Sequence, residues 1–72
     1  MEEEMDEMLA NILHKHNPSL YSHLALMTVK GVSQEDILNR VSRRAAIGST
    51  TYLMIQGTLT HFHRKMEAKQ HG

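Results

Sequence analysis

Six histidines in 72 residues are the first candidates for chemistry. They form two His-x-His pairs, His14/His16 and His61/His63, with His23 and His71 standing apart. Zinc needs three or four ligands converging at about 2 Å. On a helix, ligands converge at i,i+3 or i,i+4, whereas residues two apart point about 200° from one another. A His-x-His pair therefore suits a strand better than a helix. Neither Cys nor a His-Glu-x-x-His pattern adds a ligand set, so no metal and no cofactor is expected. Near helix C-terminal ends, protonated His14, His16, His61 and His63 would instead complement the helix dipole. Histidine changes charge near neutral pH, so an assembly carrying them would respond to pH.

Nucleophilic and acid–base catalysis find little to rest on. Ser and Thr are present, but there is no Gly-x-Ser-x-Gly elbow and no Cys. The carboxylates Glu2, Glu3, Glu4, Asp6 and Glu7 crowd one terminus, while a general acid needs a desolvated, fixed position. Gly31, Gly48 and Gly57 are too far apart for a phosphate-cradling loop. The two Tyr and one Phe are too few for a base-stacking surface. The expectation is a chain that binds and is not an enzyme, with no small-molecule substrate.

The basic residues are the most informative surface feature. Arg40, Arg43 and Arg44 fall near one helix end, and Arg64, Lys65 and Lys69 near another. Residues 1–29 carry five acids and one base, net −4, and residues 30–72 carry seven bases and three acids, net +4. Such asymmetry points either to an acidic partner or nucleic acid, or to the acidic first helix packing against the basic last one.

Four segments must position these groups. From about Glu3 to His16, Met5, Met8, Leu9, Ile12 and Leu13 recur at helical spacing. Asn17-Pro18 ends that helix and starts the next, with Asn17 as cap and Pro18 in the first turn. Leu20, His23, Leu24 and Met27 make the second stripe, and Gly31 stops it. Ser33-Gln34-Glu35-Asp36 resembles a capping box ahead of Ile37, Leu38, Val41 and Ala45. The last segment, from Ser49 to about Lys69, reads two ways. Ala45, Gly48, Tyr52, Ile55, Leu59, Phe62 and Met66 step as a heptad-like seam. Thr50, Thr51, Tyr52, Ile55, Thr58 and Thr60 favour strand locally, and Gln56-Gly57 could turn a hairpin. The seam is the more regular pattern and predicts helix, with Gly57 costing about 1 kcal/mol against Ala.

Together these predict an all-α single domain over residues 1–72. It would be a small bundle of three to four helices with a long C-terminal helix, frayed at 1–4 and 70–72. The aliphatic and Phe content is thin, 16 of 72 positions. A chain of this length buries only about 60% of its unfolded surface. Without disulfides, association is the remaining route to stability, so a two-fold homodimer is expected. Its interface would use Tyr52, Ile55, Leu59, Phe62 and Met66, with the adaptable Met5 and Met8 as further partner contacts. No apolar run approaches the roughly 18 residues of a membrane span, and the acidic start is unlike a secretory signal. A cytoplasmic address fits the lack of Cys.

The stretch Gly31-Val32-Ser33-Gln34-Glu35-Asp36-Ile37-Leu38-Asn39-Arg40-Val41, followed by Ile47-Gly48-Ser49-Thr50-Thr51, resembles helix-turn-helix repressors. The resemblance implies that Ser49, Thr50 and Thr51 open a recognition helix with Gln56 further along it. Arg40, Arg43, Arg44, Arg64 and Lys65 would then contact double-stranded DNA or an acidic partner. The leading expectation is a regulatory or adaptor protein that docks a helical face on another protein or on its own copy. A DNA-binding regulator is the alternative.

Overall fold

The computed structural model describes residues 2–43, 45, 46 and 48–71; the side chains of residues 2, 3 and 69–71 fall outside that description. Four helices follow one another: α1 Glu2–His16, α2 Pro18–Val29, α3 Gln34–Val41 and α4 Thr50–His71. At 1.5 Å per residue, the 22 residues of α4 span nearly the full 36 Å length of the molecule. Among the described residues, no helix is long and apolar enough to cross a membrane.

The junctions follow from local chemistry. Asn17 Oδ1 accepts from the Leu20 N–H at 3.2 Å, capping α2 behind Pro18. Gly31 at φ 90° ends α2. The Val32 N–H reaches the Met27 carbonyl at 3.0 Å and the Gly31 N–H the Thr28 carbonyl at 3.1 Å. That pair of bonds is the Schellman arrangement, which needs a left-handed residue where glycine stands. Ser33 Oγ accepts from the Asp36 N–H at 3.2 Å and starts α3. Residues 42–49 then connect α3 to α4, far more than the short turn of a helix-turn-helix unit. Gly48 at φ 83° lies in this connection. The seam therefore loses Ala45 and Gly48, and its helical part begins near Tyr52.

Helix prevails over hairpin in α4, and its threonines show how. Thr58 Oγ1 donates to the Met54 carbonyl at 2.7 Å, and Thr60 Oγ1 to that of Gln56 at 3.0 Å. Bonding back one turn satisfies each hydroxyl within the helix, so Thr58 is fully buried without an orphaned group. Thr28 does the same in α2, donating to the Leu24 carbonyl at 2.9 Å.

The core joins Leu13 of α1, Leu24 and Met27 of α2, Ile37 of α3, and Ile55 and Leu59 of α4. Leu20, Val32, Leu38, Val41 and Phe62 pack around it. Tyr21 stacks edge-on against Phe62, ring centres 5.2 Å apart, and lies 4.5 Å from the His14 ring, so one aromatic group ties α1, α2 and α4. Gln34 Nε2 donates to Thr60 Oγ1 at 3.1 Å and ties α3 to α4.

The tightest approach is between α1 and α4. A Cβ placed on Gly57 would stand 2.6 Å from Leu9 Cδ1 and 3.1 Å from Leu9 Cβ. Glycine in mid-helix is thus the condition for Leu9 to lie on α4. Further along, Arg64 Nη1 donates to Asp6 Oδ2 at 2.6 Å, with side chains 35% and 18% exposed. The acidic first helix does pack on the basic last one, within a single chain.

Two expectations follow for urea unfolding. Gly57→Ala gains about 1 kcal/mol of helix propensity but overpacks the contact, for a net loss of about 1–2 kcal/mol. In a Leu9→Ala background that loss shrinks or reverses; an equal loss in both backgrounds would refute the steric account. Asp6→Asn should cost about 1 kcal/mol, because the pair is partly solvated. The cost should diminish in 1 M NaCl; a salt-independent penalty would mean that the ion pair is not its source.

Candidate binding groove

The residues singled out for partner contact fall in several places. Ile55 and Leu59 are 1% and 0% exposed, spent on the chain's own core. Both pack in the chain's own core, and Ile55 also reaches the groove described below. Tyr52 and Phe62 are half-buried, and Met66 is 37% exposed. On α1 the buried side is Ala10 and Leu13 with Leu9 at its edge, while Met5 and Met8 are 61% and 57% exposed and Ile12 joins them. The apolar stripe of α1 thus divides in two. One part serves the core, and Met5, Met8 and Ile12, at i, i+3 and i+7, remain uncovered.

The basic residues also separate. Arg64, proposed as an external contact, is paired with Asp6. Lys65 is exposed nearby, beside Glu7 and His61 at a shallow hollow of about 270 Å³. Arg40 and Arg43 are exposed and converge elsewhere, on a groove of about 990 Å³ between α2, the end of α3 and the start of α4. Arg44 lies outside the described residues. Ser49 turns inward as the cap of α4, its Oγ accepting from the Tyr52 N–H at 3.2 Å. The cap uses one acceptor position of the hydroxyl and leaves its O–H donor out of this bond. Thr50 and Thr51 are exposed in the first turn of α4, and Thr51 lines the groove.

The groove is built in two tiers. Its floor is apolar, with Leu20 and Met27 from α2, Val32 ahead of α3, Val41 at the end of α3, and Ile55 from α4. Its rim carries Lys30, Arg40 and Arg43, with His23 at the α2 edge. Among the described residues, no acid lines it. Arg40 Nη1 donates to Met27 Sδ at 4.0 Å, so the guanidinium itself reaches down to the floor. Leu26 borders the same space and is 51% exposed. Such a surface accepts an apolar stripe flanked by negative charge.

Sequence reasoning missed two members of this rim, Lys30 and His23. Lys30 was read only as the base closing α2, and His23 as part of the buried stripe, whereas it is exposed. The available signal was Gly31: a Schellman end folds the chain back so that Val32 meets Met27 and leaves Lys30 at the corner between α2 and α3.

Both His-x-His pairs lie on helices, and among the described residues no group of three His, Cys, Asp or Glu could hold an ion. His14 packs on Tyr21. Nε2 of His63 is buried and meets no protein partner.

Searches of protein-family models, curated proteins and solved structures found nothing similar to this chain.

Proposed function

We propose that this chain is a non-enzymatic regulatory or adaptor protein that works by docking an amphipathic helix. The groove carries this reading, with its apolar floor of Leu20, Met27, Val32, Val41 and Ile55 beneath the cations Lys30, Arg40 and Arg43. Helix-in-groove recognition needs anchors entering an apolar slot and charges fixing orientation at its edge. The uncovered Met5, Met8 and Ile12 offer a second apolar face of the same kind, and methionine adapts its shape to partners.

Duplex DNA is the competing occupant, drawing on the same Arg40 and Arg43. Phosphates need cations and no apolar floor. Arg64 is paired with Asp6, which thins the basic surface that DNA would use. The helix reading therefore accounts for more of the groove.

Titrating the isotopically labelled chain with acidic amphipathic peptides, basic peptides of equal length, and a duplex separates these readings by NMR. Acidic peptides of unrelated sequence should shift Leu20, Met27, Val32, Val41 and Ile55. Arg40→Glu/Arg43→Glu should weaken their binding at least about tenfold. If no peptide binds, or the shifts lie away from the groove, the docking reading is wrong. Salt-steep duplex binding centred on Arg40, Arg43, Thr50 and Thr51 would put DNA in its place.

A further inference from the structure

We infer that the helix received by the groove is α1 of a second copy of this chain, presented by Met5, Met8 and Ile12. This deepens the helix-docking reading and rests on it. Three observations on one molecule match one another. The apolar faces are both open: Met5, Met8 and Ile12 are 61%, 57% and 37% exposed, and the groove floor has a volume of about 990 Å³ above it. The charges are opposite. Glu4 and Glu7 are exposed beside the α1 stripe, while Lys30, Arg40 and Arg43 are exposed around the groove, where no acid is found among the described residues. Lastly, α1 keeps its own fold while docking. It holds to α4 through Leu9, Leu13 and Asp6, so the outward stripe is free for a neighbour without unfolding its owner.

The stripe spans three anchors over two turns, about 10 Å of helix. In a two-fold dimer the contact occurs twice, each copy giving α1 and receiving its partner's. Met5 and Met8 enter above Met27, Val32 and Val41, and Glu4 and Glu7 meet the rim cations. This assigns self-association to the α1 stripe and the groove, and not to the inner face of α4, which is occupied. Exposed surface pairs of this kind are screened by salt while apolar burial is not, so the dimer should weaken moderately, not vanish, as NaCl rises.

Sedimentation equilibrium of the full chain from micromolar to millimolar concentration tests the inference. Circular dichroism confirms that each variant is folded; every substituted position is exposed, and Met5→Glu and Lys30→Glu stand in for any variant that is not. The wild type should form dimers reversibly. Met8→Asp and, separately, Arg40→Glu/Arg43→Glu should each raise the dissociation constant at least about tenfold. Adding Glu4→Lys/Glu7→Lys to the Arg40→Glu/Arg43→Glu chain should recover much of the loss by exchanging the two signs. Because the chain has no cysteine, a Met8→Cys chain mixed with an Arg43→Cys chain should oxidise mainly to the mixed disulfide. A monomer throughout the concentration range overturns the inference. So does a dimer indifferent to both surfaces, or one that yields no excess of mixed disulfide. A monomer whose groove still takes unrelated acidic peptides would sink self-docking alone and leave the helix-docking function standing.

Discussion

The rest of the structure depends on how closely α1 can lie on α4. Leu9 rests where Gly57 has no side chain, at a distance a Cβ could not share. A glycine there weakens α4 by about 1 kcal/mol as an isolated helix, and the tertiary contact repays that cost. Once Leu9 is seated, the orientation of α1 follows. Leu13 and Ala10 turn into the core and Asp6 comes within reach of Arg64. The same rotation leaves Met5, Met8 and Ile12 facing out. The close approach at Gly57, the burial of Leu13 and the Asp6–Arg64 pair together hold the first helix with this face outward.

The long α4 supplies what a short chain otherwise lacks, one element that touches all the others. Its threonines, poor helix formers by propensity, become acceptable because their hydroxyls bond to carbonyls one turn back. Ile55 and Leu59 then close a core shared with α1, α2 and α3. Thin aliphatic content suggested a seam needing a second copy to cover it. The chain buries Ile55 and Leu59 of that seam under its own helices, while Met66 and, elsewhere, Met5, Met8 and Ile12 keep apolar surface.

The groove owes its form to two chain reversals. The Schellman end at Gly31 turns α2 tightly into α3, bringing Val32 onto Met27. The long 42–49 connection does the opposite and sets the start of α4 apart from the end of α3. Between them Leu20, Met27, Val41 and Ile55 line one groove, and Lys30, Arg40 and Arg43, scattered in sequence, come to its rim. The resemblance to helix-turn-helix repressors rested on residues of this region. The length of the 42–49 connection is where the structure departs from it.

The sequence by itself marked the first three helices and left the last segment open between helix and hairpin. Their signals are local: Asn17-Pro18, Gly31, Ser33 and the 3.6-residue spacing of apolar positions each act within one turn of chain. It also held the opposing charges of its two halves, though not whether they would meet within one chain. Only the tertiary structure decided which apolar residues are core and which are surface. Periodicity marks a face but does not rank two adjoining stripes, and on α1 the choice between Leu9/Leu13 and Met5/Met8/Ile12 was made by a glycine some fifty residues away in the chain. It decided, too, that Arg64 is bound to Asp6 while Arg40 and Arg43 line a groove. A charge's availability depends on what packs beside it, and that is a property of the assembled fold.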